Sequence, residues 1–170
     1  AGQVYQFRQS EAFRAGGEVE VEFTIAPNTT LIANLEYVYA TDFTYPLPYT
    51  PPAQSFIALE YALPYYWRGL HKTNLRLTNR SAAAQNRNSR NELSTPGHSI
   101  YGLSLSTMLV ALPLPLSITL QVHNIFDTKY WNHLSFYRTI EIPEPGRNYQ
   151  LLVTIPFERN IRTKQIRPER

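Results

Sequence analysis

The residues of this chain that could best perform chemistry are concentrated in one polar segment, residues 81–97. Arg87 and Arg90 each carry a planar guanidinium, which can hold two oxygens of a carboxylate, catecholate or phosphate group at once. Amide side chains such as Asn86 add hydrogen-bond donors and acceptors. The segment is therefore the best candidate for ligand contact, although charged side chains on such a connection also meet plain water or a lipid surface.

The four histidines are candidate metal ligands, but no two have the spacing of a helical metal site. His98 and His133 flank two long polar connections and could converge near a metal chelate, whereas the alternative for His133 is to shape the start of its loop. Two tyrosines in a third connection could stack on a ligand or anchor a rim. The predicted ligand-binding residues are Tyr45, Tyr49, Asn86, Arg87, Arg90, His98 and His133.

No arrangement of residues predicts catalysis or a bound cofactor. The sequence contains no Ser-His-Asp constellation, phosphate-cradling glycine loop or nucleotide fingerprint. The absence of cysteine excludes a disulfide scaffold and a thiolate metal site. We therefore predict that the chain is not an enzyme and needs no cofactor.

Charge along the chain argues against a nucleic-acid partner. The net charge is +3, and residues 158–170 hold five basic and two acidic residues, so that residues 1–157 sum to zero. A protein that binds nucleic acid needs a basic face for the phosphate backbone. The body of this chain offers none.

Apolar and polar residues alternate with period two throughout, which predicts an all-β chain of about seven strands. In residues 18–25, Val19, Val21 and Phe23 share one side while the glutamates take the other. The predicted polar side contains five carboxylates, which we expect to line a wet interior and to pair with groups such as Arg76. These carboxylates are Glu18, Glu20, Glu22, Glu36 and Glu60.

The connections between these strands alternate in length. Short turns are predicted near residues 27–29, 63–69 and 110–116, and long polar connections over residues 44–52, 81–97 and 131–146. Membrane β-barrels combine short periplasmic turns with long extracellular loops in this way. A soluble sandwich has no reason to gather its long loops at one end.

The C-terminal part of the chain contains a series of spaced motifs. They are Asn124-Ile125-Phe126-Asp127 with Tyr130, then His133-Leu134-Ser135, then Pro145-Gly146-Arg147-Asn148, and an aromatic end at Phe157. In this order they resemble the final strands of TonB-dependent outer-membrane receptors. Further matches lie upstream at Pro51-Pro52-Ala53, at Ala83-Ala84-Gln85-Asn86-Arg87 and over residues 92–97, so that the similarity covers most of residues 10–157. For Asn124, Phe126, Asp127, Tyr130, Gly146, Arg147 and Phe157 the resemblance implies structural roles.

The resemblance implies an antiparallel up-and-down transmembrane β-barrel in the bacterial outer membrane, with about 22 strands and an N-terminal plug. Residues 1–157 would form its C-terminal segment. The implied function is active uptake of a scarce ligand, such as an iron-siderophore or another metal chelate. The implied partners are the plug, the remaining strands, the TonB complex acting through the plug, outer-membrane lipid and the ligand, with no nucleic acid.

Two alternatives to the receptor and two origins of the tail stay open from the sequence. A soluble all-β binding module would pack its apolar faces together in a sandwich, and a passive porin would lack a plug. Residues 158–170 form a separate basic tail, which departs from the resemblance because the terminal aromatic usually ends the chain. The tail is either a natural, disordered extension or a segment of non-native origin.

Overall fold

The computed structural model describes residues 11–64, 69–110 and 115–156. Within these ranges the chain forms one antiparallel sheet of seven strands, in which every strand pairs with its neighbours in sequence. The predicted all-β class and the number of strands are confirmed. The strands are β1 (Phe13–Ala26), β2 (Thr29–Thr41), β3 (Gln54–Ala62), β4 (Leu70–Ala82), β5 (His98–Leu109), β6 (Leu116–His123) and β7 (Asn148–Thr154), with a 3-10 helix at Phe136–Ile140 before β7.

The period-two alternation places apolar and polar side chains on opposite faces of the sheet. Cross-strand register extends this separation over the whole sheet: Leu59, Leu77 and Leu103 align across β3, β4 and β5, and Val122 and Tyr149 continue the row. This is the apolar face. The adjacent row, on the polar face, runs Glu60, Arg76, Ser104, Gln121 and Gln150.

The apolar face has no protein covering it in the part of the chain that the structure describes. Val19 is 62% exposed, Leu35 56% and Leu151 65%. Within the same ranges the only buried hydrophobic side chains are those of Ala40 and Ala58. A sandwich requires a second sheet packed on this face, and the described strands form a single sheet.

The strand ends differ in detail from those predicted. Strand β1 begins at Phe13, five residues before the predicted start, because β2 continues to Thr41 and supplies it with partners. Gly16 allows this pairing, since a Cβ at that position would lie 2.8 Å from the carbonyl oxygen of Tyr37. The sharp turn between β1 and β2 has Asn28 at φ 59°, a conformation that asparagine tolerates better than most residues.

The sheet is not closed: β1 and β7 are its two edges and do not pair with each other. Phe157 and the tail at residues 158–170 lie outside the described residues. No helix in the described ranges is long and apolar enough to cross a membrane.

Candidate functional site

The three long connections, residues 42–53, 83–97 and 124–147, contact one another at one end of the sheet, and we call them the loop cluster. All buried polar residues of the described ranges lie in it. A buried polar group must be hydrogen-bonded to be tolerated, so these residues indicate an ordered assembly. They are Thr50, Gln85, Thr95, Asn124, His133 and Arg138.

Glu92 joins all three connections through its carboxylate. Its oxygens accept hydrogen bonds from the backbone N–H of Tyr49 (3.0 Å) and of Ser89 (3.2 Å). The same carboxylate lies 3.4 Å from a guanidinium nitrogen of Arg138 and 3.1 Å from Nε2 of His133. These side chains are more than nine-tenths buried, so the ion pair with Arg138 is screened little by solvent.

His133 has a polar side chain close to each of its ring nitrogens. Its Nδ1 lies 2.8 Å from Oγ1 of Thr95, while Nε2 faces Glu92 at 3.1 Å without the geometry of a good hydrogen bond. Burial, and then the nearby charge of Arg138, lowers the pKa of His133, against the opposing effect of Glu92. Both ring nitrogens are therefore enclosed within the loop cluster, and only Nδ1 has a hydrogen-bond partner in the described structure.

Gln85 connects the second loop to the first. Its backbone N–H and carbonyl pair with those of Thr95 at 2.9 and 3.1 Å, and its side-chain amide donates to the carbonyl of Thr50 at 2.8 Å. The amide oxygen of Gln85 accepts from the N–H of Arg87 at 3.1 Å. The backbone leading to Arg87 is therefore held in place.

The two predicted arginines lie on tyrosine rings. The guanidinium of Arg87 is 4.0 Å from the ring centre of Tyr39. That of Arg90 is 4.8 Å from the ring centre of Tyr45 and donates a hydrogen bond to its hydroxyl at 3.1 Å. Asn86 is exposed beside them.

His98 occupies a different place, at the start of β5 beside a groove of about 640 Å³ on the polar face. Residues from β2 to β7 line this groove, so the sheet curves around it. The ring of His98 lies 4.5 Å from that of Tyr130. Both residues also border a smaller cavity of about 100 Å³, and His133 lines the same cavity, so this is where the two predicted histidines come together. The buried Nδ1 of His98 has no hydrogen-bond partner in the described structure.

The predicted ligand-binding residues are thus divided among three places. Arg90 and Tyr45 are together, with Arg87 and Asn86 nearby in sequence, and none of them lines the groove. His133 is inside the loop cluster, where Tyr49 contributes its backbone N–H while its side chain remains 49% exposed. Of the seven predicted residues, only His98 lines the groove.

The motif residues near the C-terminus join the two ends of the third connection. The side chain of Asn124 makes two hydrogen bonds with the backbone of Thr128, at 2.8 and 2.9 Å. The carboxylate of Asp127 accepts from the N–H of Arg147 at 2.7 Å. A Cβ at Gly146 would lie 2.5 Å from that carboxylate, so only glycine fits there without a shift.

Phe126 and Tyr130, the two aromatic motif residues in the described ranges, contact other rings. Phe126 packs edge-on against Tyr101, with ring centres 5.4 Å apart, and Tyr130 lies on His98 as described above. Both contacts hold the third loop against β5: that of Phe126 lies on the apolar face and that of Tyr130 on the polar face.

Sequence reasoning predicted one charged residue of the groove, the interior carboxylate Glu36, but missed the other, Arg80. Arg80 projects from β4 with its guanidinium 5.2 Å from the ring centre of Phe56, and no carboxylate pairs with it in the ranges described. The expected pairing of an interior carboxylate with Arg76 is found at Glu60, at 3.1 Å. The alternation did place Arg80 and Phe56 on the polar face, but nothing local in the sequence indicates that they touch.

A metal centre is not evident in the described residues, where no three His, Cys, Asp or Glu side chains are grouped closely enough to hold an ion. The candidate site is therefore the polar groove under the loop cluster. Its side chains offer one unpaired guanidinium, imidazole nitrogens and aromatic rings.

Comparison with known proteins adds information on the fold. No family model matches the chain, and no curated protein matches it. Among solved structures, the chain is similar to the copper transporter OprC, with a TM-score of 0.73 and 22% sequence identity. The match covers 87% of this chain and 24% of that chain. The chain thus spans about a quarter of its structural neighbour, and at this identity the likeness supports the predicted resemblance at the level of the fold.

Proposed function

We propose that this chain forms part of the wall and the extracellular loops of an outer-membrane β-barrel transporter. The observation that carries the proposal is the single curved sheet, which exposes its apolar face and surrounds a polar groove with the other. Barrel strands in a membrane face lipid on one side and a polar lumen on the other. The sheet has this distribution across all seven strands.

The open edges of the sheet agree with a larger barrel. In lipid, an unpaired strand edge leaves backbone N–H and C=O groups without partners, at a cost of several kcal/mol for each group. The edges at β1 and β7 therefore require further strands. We propose a barrel of about 22 strands that surrounds a plug, with residues 1–157 as its C-terminal segment.

We further propose that the protein imports a scarce ligand, such as an iron-siderophore or another metal chelate, with energy supplied by the TonB complex through the plug. The motif at residues 124–148 supports this class of transporter. The groove of about 640 Å³ has the size of a typical ligand pocket. We propose Arg80, His98 and Tyr130 as groove residues that contact the ligand as it passes.

The proposal is tested first by the location and size of the native protein. Source cells are fractionated and blotted with an antibody against residues 81–97. We expect a band in the outer membrane that is several times larger than 19.6 kDa. A soluble band near 19.6 kDa would overturn the proposal in favour of a soluble module.

Transport is then tested with radiolabelled iron chelates in cells that express the protein, with and without the proton-motive force. Energy-coupled uptake should stop when the force is collapsed. A passive porin would instead admit the solute regardless of energy, and that outcome would contradict the TonB-dependent mechanism while leaving the membrane barrel intact.

A further inference from the structure

The pair of arginines on tyrosine rings lies outside the groove and needs a separate explanation. Neither Arg87 nor Arg90 forms an ion pair with a carboxylate in the described part of the chain. Asp42 acts on Arg90 electrostatically, but an oxygen of Asp42 accepts the backbone N–H groups of Thr44 and Tyr45. Both guanidinium groups therefore keep N–H donors available for an anion.

The position of Arg87 relative to the apolar face is the second observation. Tyr39 alternates in phase with Leu35 and Tyr37, so its ring belongs to the apolar face, where it also contacts the ring of Phe13 at 6.4 Å. Tyr39 lies near the end of β2 that leads into the loop cluster. The guanidinium of Arg87 thus lies at the boundary between exposed apolar surface and polar loops.

We infer that Arg87 and Arg90 form a binding site for the phosphate group of a membrane lipid, whose acyl chains lie along the apolar face. This inference rests on the proposed function, since a membrane boundary exists there only if the apolar face meets lipid. Lipid phosphates are found at the edge of the hydrocarbon layer, and aromatic side chains prefer the same level.

The chemistry of the site favours a phosphate group. Guanidinium groups hold phosphate oxygens with paired N–H donors. The rings of Tyr39 and Tyr45 hold the two guanidinium planes, so less side-chain freedom is lost on binding. A soluble ligand of the groove is a poorer occupant, because neither arginine lines that groove. A lipid supplies both the anion and the apolar chains that the surface would bind.

The test uses the protein at its native length, inserted into lipid nanodiscs that contain lipid A as the phosphate-bearing probe. Retained lipid A is measured by mass spectrometry for the native protein and for the double variant Arg87→Gln, Arg90→Gln. The matched control is Arg76→Gln, which removes a guanidinium that also lies on an aromatic ring but on the polar face. We expect the double variant to bind lipid A roughly tenfold more weakly or worse, and the control to bind it as the native protein does.

The outcomes separate the inference from the proposed function. Equal lipid A retention in all inserted variants overturns the lipid site alone. Equal retention of lipid A after its phosphates are removed also overturns it. Displacement of lipid A by inorganic phosphate at millimolar concentration would assign the arginines to free phosphate instead. Failure of the native protein to insert would overturn both the transporter and the lipid site.

Discussion

The sheet and the loop cluster are built on opposite principles. In the sheet, the only buried hydrophobic side chains of the described ranges are two alanines, and large apolar residues such as Leu151 are exposed. In the loop cluster, all six buried polar residues are found together. The sheet is held by backbone hydrogen bonds between neighbouring strands and, in our proposal, by lipid on its apolar face.

This difference shows where sequence changes are tolerated. The strands need an apolar or a polar residue at alternate positions but no specific packing, since few side chains interlock. The loop cluster needs particular groups at particular distances, because a buried charge such as that of Arg138 is costly without its partner. We therefore expect the loop cluster to be sensitive to conservative changes and the sheet to be sensitive mainly to changes of polarity.

The largest effect is expected for Glu92→Gln. This change removes the anion that pairs with buried Arg138, at a cost of about 3–5 kcal/mol when one partner of such a pair is lost. Amide hydrogen exchange in residues 83–97 should become faster while the strands stay protected. Glu141→Gln, an exposed carboxylate in the third connection, should leave exchange unchanged. Equal exchange in the two variants would mean that Glu92 does not hold the loops together.

A charge on the apolar face should have the next largest effect. Leu103→Arg places a guanidinium in the middle of β5, at a cost of about 2–4 kcal/mol if it meets the centre of a bilayer. Ser104→Arg changes the adjacent residue, which lies on the polar face, and should cost little. The two variants are compared by the urea concentration at which half of the native-length protein unfolds in lipid vesicles. A larger loss for Ser104→Arg would reverse the proposed sides of the sheet.

A smaller effect is expected for Gly146→Ala. The new Cβ would lie 2.5 Å from Oδ1 of Asp127, so the hydrogen bond from the N–H of Arg147 should be lost at a cost of about 1–3 kcal/mol. Gly17→Ala is the control, since nothing lies within 4 Å of a Cβ there. Protease cleavage within residues 124–147 measures the difference, and equal cleavage would argue that this contact is unimportant.

The smallest effect is a dependence on pH from His133. Its pKa is lowered in the folded loops, so the opened loops bind a proton more readily below about pH 6.5, the usual value for histidine. Stability of the loop cluster should thus be complete above that pH and fall on acidification, by at most about 1.4 kcal/mol per pH unit. Amide hydrogen exchange at Thr95, followed between pH 5 and 8, measures this loss of stability. His133→Gln should remove this dependence, and an unchanged profile would assign it elsewhere.

Local patterns in the sequence predicted the strands but not the contacts of the loops. The alternation at Val19, Val21 and Phe23 is a property of neighbouring residues, and it identifies a strand without knowledge of its partners. The contact of Glu92 with His133 joins residues 41 positions apart, and no short-range pattern reports it. For the same reason, the residue types of Arg87 and Arg90 predict contact with a ligand, but their position on the tyrosines depends on how the second loop folds over the end of β2 and the first loop.

The strictly sequential strand order bears on how the sheet forms. Each strand pairs only with its neighbours in sequence, so the sheet can grow by adding one hairpin at a time. The entropic cost of closing a loop rises with its length, by about 0.6 kcal/mol for each doubling. The pair β1 and β2, joined by the turn at residues 27–28, should therefore form early. The pair β6 and β7, joined through residues 124–147, should form late, and we expect the hydrogen bond from the N–H of Arg147 to Asp127, which joins residues 20 positions apart, to shorten the loop that must close.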